Sequence, residues 1–219
     1  MTVRVAIIDS GFDDRVTAGS AQLFNFDGEK VETAEAQPDV HCHGSALAAV
    51  VKSLAPKCAL INAQVFAEKM AASPSAIAAA LDWSVQQGAQ LVNMSFGLAD
   101  DREVMRSTCE GAVKKGVLLL AAAPARGGPV YPAAYPGVLR ISGDARLKPG
   151  EVSILGSGGQ ADYGGCVVPG GASFAVAQIV GIAADWIESN TGAGLDGLCA
   201  YLDSVARFDK PERITGAKV

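Results

Sequence analysis

Four short apolar runs punctuate the first 122 residues: Val3–Ile8, Ala59–Phe66, Leu91–Met94 and Val117–Ala122. Each is the length of a strand, and each is too apolar to leave one face in water. Stretches of helical character lie between them. The first follows His41-Cys42-His43-Gly44-Ser45 as the small-residue run Ala46–Val51. The second opens on Ser73-Pro74, a capping serine followed by proline in the first turn, and stops at Gly88. The third opens at Asp100-Asp101, is carried to Lys115 and ends at Gly116. Strand and helix in strict alternation imply a mainly parallel sheet with helices on both faces, an α/β fold. After Pro124 the pattern changes. Short strands are expected near Val138–Ser142, Glu151–Leu155 and Cys166–Val168, then a helix from Ser173 to about Ile187 and a last one over Leu195–Val205. Residues 12–40 read as mostly loop, with a short strand near Gln22–Phe26.

A chain of 219 residues suits one such domain, placed here over 1–207 with a polar C-terminal tail at 208–219. The 18 basic residues are scattered and the net charge is −5, so no basic stripe points to nucleic acid. No apolar run is long enough to span a bilayer, so no membrane partner is expected. Met1 leads directly into the first strand without a signal-like segment. The five cysteines are odd in number and irregular in spacing, which suits free thiols. Together these features lead to an expectation of a cytoplasmic protein.

Three places carry chemistry. In Gly170-Gly171-Ala172-Ser173-Phe174-Ala175 a serine stands where a helix begins, among unpaired N–H groups that favour negative charge. Such a serine is a nucleophile or simply a helix cap. The two histidines, His41 and His43, are the only imidazoles available as a base near pH 7. His43 directly precedes a helix that would fix it. A zinc site at His41-Cys42-His43 lacks a third and fourth ligand at a recognisable spacing. Asp9 closes the first strand at its carboxyl end, where α/β sheets build sites, although Asp-Ser-Gly is also ordinary turn chemistry. Asp, His and Ser in that chain order form one of the convergent arrangements of the hydrolytic triad.

Five segments resemble subtilisin-like serine proteases. They are Val5–Gly11 for the aspartate motif, His43-Gly44-Ser45 for His-Gly-Thr, and Asn93-Met94-Ser95-Phe96-Gly97 for the substrate-lining strand end. Tyr131–Pro136 resembles the Tyr-Pro-x-x-Tyr-Pro segment and Gly171–Ala175 the Gly-Thr-Ser-x-Ala segment. The resemblance implies a three-layer subtilisin-like fold and a serine endopeptidase working through an acyl-enzyme. It assigns Ser173 as nucleophile, His43 as acid and base and Asp9 as its partner. It implies substrate pairing along Ser95, Phe96 and Gly97 and along the strand around Ala121 and Ala122. It also implies a cis peptide before Pro132. No cofactor or metal is expected from the residues themselves, since no acidic run resembles a calcium loop. Departures are informative. Ala125 stands where the family carries the asparagine that donates to the oxyanion, leaving the Ser173 N–H as a donor; Arg126, the next residue, is either a replacement donor or a solvated loop charge. Cys42, beside the base, reads as a small buried residue that could respond to thiol reagents. The expected substrate is a peptide or small-protein precursor cut by a narrow-specificity processing enzyme. Two other classes remain: a silent peptide-binding module on this fold, and a hydrolase or transferase of small esters or amides.

Overall fold

A computed structural model describes residues 2–156 and 160–210. The described residues form nine strands: β1 (Arg4–Asp9), β2 (Ser20–Phe26), β3 (Val31–Ala34), β4 (Ala59–Gln64), β5 (Leu91–Met94), β6 (Leu118–Ala122), β7 (Val138–Gly143), β8 (Val152–Ile154) and β9 (Tyr163–Gly165). Five helices join them: α1 (His43–Leu54), α2 (Pro74–Gln86), α3 (Glu103–Lys114), α4 (Gly171–Ser189) and α5 (Leu195–Val205). One sheet runs in the order β3-β2-β4-β1-β5-β6-β7-β9-β8. The ladders from β2 to β9 are parallel, and only the outermost strands, β3 and β8, run antiparallel to their neighbours.

The strand pleat sorts the core into two layers. Val5 and Ile7 of β1, with Leu118 and Leu120 of β6, face α1, α4 and α5. Ala6 and Ile8, with Leu119 and Ala121, face α2 and α3. Asp9 continues the Val5–Ile7 side of the alternation. It therefore ends its strand on the layer that holds the starts of α1 and α4.

Three boundaries differ from the sequence expectation. Residues 12–40 contain a second strand, β3, which pairs antiparallel with β2. The strand expected near Cys166–Val168 is instead Tyr163–Gly165. Its glycines hide it from strand propensity, yet the bare backbone is what lets α4 lie against the sheet: a Cβ on Gly165 would sit 2.5 Å from the Ala175 carbonyl oxygen. Helix α3 begins at Glu103 rather than Asp100 because Tyr135 engages the preceding turn. Its hydroxyl donates to Asp101 at 2.9 Å and accepts the Arg102 N–H at 3.3 Å. Past α5, Arg207 N–H donates to the Val152 carbonyl and Ile154 N–H to the Phe208 carbonyl, so this segment continues the sheet beyond β8.

Candidate active site

Asp9, 1% exposed, accepts the Nδ1–H of His43 through Oδ1 at 2.7 Å. The Ser10 N–H also donates to that oxygen, at 2.8 Å. With Nδ1 carrying the proton, Nε2 of His43 is left as the basic nitrogen. The hydrogen bond to Asp9 raises the His43 pKa above its ordinary 6.5, against an opposing pull from burial.

The chain brings His43 to Asp9 by pressing the start of α1 onto the turn after β1. A Cβ on Gly44 would lie 2.3 Å from the Gly11 carbonyl oxygen, so only glycine permits this approach. The Gly44 N–H donates to Ser10 Oγ at 2.9 Å and ties the two segments together. Asp39 completes the clamp. Its buried carboxylate accepts the Ser45 hydroxyl at 2.6 Å, the Ser45 N–H at 2.8 Å and the His41 N–H at 3.1 Å. Burial pushes the Asp39 pKa up, but the hydrogen bonds from Ser45 outweigh it and the net direction is down. Sequence reasoning missed Asp39 and Ser10. A carboxylate four residues ahead of a helix-opening histidine was the available signal.

Ser173 lies in the first turn of α4, two residues after the helix begins, and the cap is Gly170. It is therefore not the N-cap, and its own N–H is one of the four without an intrahelical acceptor. The ring of Phe174, the next residue, stands edge-on to His43 with centroids 6.1 Å apart. Ser173 Oγ donates to the Ser95 carbonyl at 3.2 Å, and Ser95 Oγ donates to the Ser173 carbonyl at 3.1 Å. Asn93 Nδ2 donates to Ser95 Oγ at 2.9 Å. The end of β5 is thus stitched to the start of α4.

The remaining expected residues divide. Ser95 and Phe96 are half-buried and Gly97 is exposed, which leaves this run open to a substrate strand. Ala122 is half-buried and registers only with Ile141 of β7. Ala121 is fully buried and paired to both neighbours, Met94 and Arg140, so it is a core residue and not a substrate contact. Ala125 and Arg126 lie on an exposed loop after β6, and Arg126 has no hydrogen-bonding or ionic partner among the described residues. Beside this loop is a cavity of about 220 Å³ lined by Ala123, Pro124, Val130 and Ala133 among others. The peptide bond before Pro132 is cis, as expected, and so is the one before Pro169.

His41 is not the base. Its Nε2 is held at 2.8 Å from the Ala67 carbonyl, a structural bond. Cys42 is exposed rather than buried, and its backbone is left-handed (φ 56°). Among the described residues no three His, Cys, Asp or Glu side chains gather as a metal centre would, and no helix is long and apolar enough to cross a membrane.

The subtilase family model, Peptidase_S8, matches residues 1–190. The chain belongs to the subtilase family. This subtilase is 24% identical to subtilisin of Bacillus pumilus, over 95% of this chain and 87% of that protein. It is 26% identical to the minor extracellular protease Epr of Bacillus subtilis (strain 168), over 64% of this chain but only 23% of Epr. Its fold matches a cold-adapted subtilisin-like serine proteinase with a TM-score of 0.69 at 21% identity, covering 92% of this chain and 81% of that one. It also matches a lanthipeptide protease with a TM-score of 0.67 at 20% identity, covering 92% and 79%.

Proposed function

We propose that this subtilase is a cytoplasmic serine endopeptidase of narrow specificity that removes a leader peptide from a peptide or small-protein precursor. The observation that carries the catalytic part is the hydrogen bond from half-buried His43 to buried Asp9, set on the same layer as Ser173 at the start of α4. In the reaction Ser173 Oγ attacks the peptide carbonyl and its proton passes to His43 Nε2. His43 then protonates the leaving amine, and water repeats the sequence to free the acyl group. Asp9 keeps the imidazole in the right tautomer and stabilises its charged form. The N–H of Ser173 meets the oxyanion.

The narrow, processing part is supported by Ala125. In a subtilisin, losing the asparagine donor costs about 10²–10³ in rate. An enzyme so slowed suits one dedicated substrate better than general digestion. A guanidinium at Arg126, exposed beside the same position, is proposed to supply part of the missing donor. An unchanged acylation rate in Arg126→Ala would refute that assignment. Five free cysteines support a reducing compartment. The small cytoplasmic subtilisin-like protease that removes a leader peptide during quinohemoprotein amine dehydrogenase maturation is the type this chain resembles in size and simplicity.

Ala125 also favours a second reading, a catalytically silent peptide-binding module. A fluorophosphonate probe separates the two. The expected result is an adduct on Ser173, mapped by mass spectrometry, that is lost in Ser173→Ala and His43→Ala. A folded protein that gives no adduct would support the binding module.

A further inference from the structure

Three buried oxygens near the end of β1 receive no hydrogen bond from the described residues: Asp9 Oδ2, Asn62 Oδ1 and Asn93 Oδ1. Asp9 is 1% exposed, Asn62 4% and Asn93 0%. The strand register sets them on one face. Ile7 pairs with Asn62 of β4 on one side and with Asn93 of β5 on the other. Residues in register share a face of the sheet, and Asp9, two residues beyond Ile7, shares it too. One strand spacing and two residues of rise put the Asp9 Cα about 8 Å from that of each asparagine, a span that two side chains and one bridging water can cover.

Two of the three are fixed in orientation by their other bonds. Ser95 Oγ gives its one proton to the Ser173 carbonyl, so it accepts from Asn93 and the donor is Nδ2. Oδ1 of Asn93 is the oxygen left over. In Asp9, Oδ1 takes the His43 and Ser10 N–H groups and Oδ2 takes neither. A buried acceptor without a donor is costly, most of all on a carboxylate, and protein interiors meet such groups with ordered water. All three atoms are acceptors, so what joins them is a donor of two protons or a cation. A hard cation takes about six oxygen ligands, twice what this cluster offers. It would also oppose the positive charge that His43 acquires beside the same carboxylate.

We infer that two buried water molecules sit behind Asp9, one bridging its Oδ2 to Asn62 Oδ1 and the other bridging Oδ2 to Asn93 Oδ1. Each water then donates both of its protons, and both lone pairs of Oδ2 are filled. Asn62 and Asn93 act through these waters as positioning residues. They hold the plane of the carboxylate that orients His43. The Asn93 arm also continues through Ser95 to the main chain of Ser173, so one polar network ties the acid to the start of α4. Donation to Oδ2 draws negative charge away from Oδ1, and the waters thereby moderate the pull of Asp9 on His43. The inference concerns the triad of the endopeptidase reading, but its tests use no substrate, so the two can fail separately.

A crystal structure of the full chain at atomic resolution reads the sites directly, whether or not any variant folds. Each water should lie within hydrogen-bonding distance of Asp9 Oδ2 and of one asparagine Oδ1. A map that lacks either water, or shows a metal ion in its place, would overturn the inference. The second measurement is an NMR titration of His43 in the free protein, in Asn62→Leu and Asn62→Ser. Leucine has nearly the shape of asparagine and no acceptor, whereas serine keeps an oxygen and room for the water. Asp9 and Asp39, the charged groups that act on His43, stay in place in both. The midpoint should rise by at least about 0.3 pH unit in Asn62→Leu, a twofold gain in proton affinity, and stay at the parent value in Asn62→Ser. A merely structural role would lower the unfolding temperature and leave the midpoint alone. An unchanged midpoint in folded Asn62→Leu, or the same midpoint in both variants, would refute the proposal.

Discussion

Replacing Asp9 by asparagine removes the charge that faces His43 Nδ1 at 2.7 Å, and the pH response of the enzyme should change with it. His43 works as a base only when neutral. Its pKa is raised above 6.5, first by the bond to Asp9, so kcat/KM should rise with pH through a midpoint above 6.5. In Asp9→Asn that midpoint should fall, since burial, which lowers the pKa, remains. The rate should drop by about 10⁴, as for the same substitution in another serine-protease fold. Stability follows the opposite limb. A raised folded pKa means the pair's contribution is complete below the unfolded value of 6.5 and is lost as pH rises through the folded value. Thermal unfolding against pH should show this slope in the parent and not in Asp9→Asn. Cys42 offers a second test at this scale. Its left-handed backbone is unfavourable for a residue with a side chain, so Cys42→Gly should gain about 1 kcal/mol in chemical denaturation. Iodoacetamide should modify exposed Cys42 well before buried Cys109, whose thiol pKa burial pushes up to about 12. The three proposed triad positions stand out in the sequence because each combines a chemical residue type with an element boundary. The Asn93–Ser95 link does not, because its role lies in a partner that only the folded chain supplies, and Asp39 offers only its spacing ahead of His43.

Helices α1 and α4 cross where Gly181 meets Leu54. A Cβ on Gly181 would lie 2.8 Å from Leu54 Cβ and 3.3 Å from the Val51 carbonyl oxygen. Gly181→Ala should therefore destabilise by about 1–3 kcal/mol, the usual scale of overpacking. It should lower kcat as well, since His43 and Ser173 open these two helices. Gly111 in α3 is the control. Nothing lies within 4 Å of its would-be Cβ, so Gly111→Ala should stabilise by about 0.5–1 kcal/mol and leave kcat alone. Urea denaturation and steady-state kinetics on the two variants read both outcomes. At this scale the sequence shows what burial writes into it. The central strands β1, β4, β5 and β6 are mostly apolar because helices cover both faces, and Asn62, Gln64 and Asn93 are buried polar exceptions. Edge strand β3 is mostly exposed and its Val-Glu-Thr-Ala carries no apolar pattern to read. In β9 the two glycines that permit helix contact also erase its strand signature.

Across the whole molecule the sheet ends differently at its two edges. Beyond β8 the chain returns as Arg207–Phe208, giving and taking main-chain bonds, while the guanidinium of Arg146 lies 4.3 Å from the Phe208 ring centre. This segment shields an edge that would otherwise be open to pairing with other chains. Ending the chain after Ala206 should lower stability by on the order of 2 kcal/mol and promote association, with kcat unchanged. Calorimetry and light scattering would register both. The proposed reacting side chains hang from the fully buried end of β1 and from the half-buried starts of two helices whose bodies pack on each other in the interior. A chain laid out this way has little freedom to adapt its speed by loosening the triad, since any such loosening must first loosen the interior. Inactivation on heating should then coincide with unfolding and arrive as a step. Adjustment over generations is left to the exposed segments beside the site, where residues 125–128 have already exchanged an expected donor for alanine.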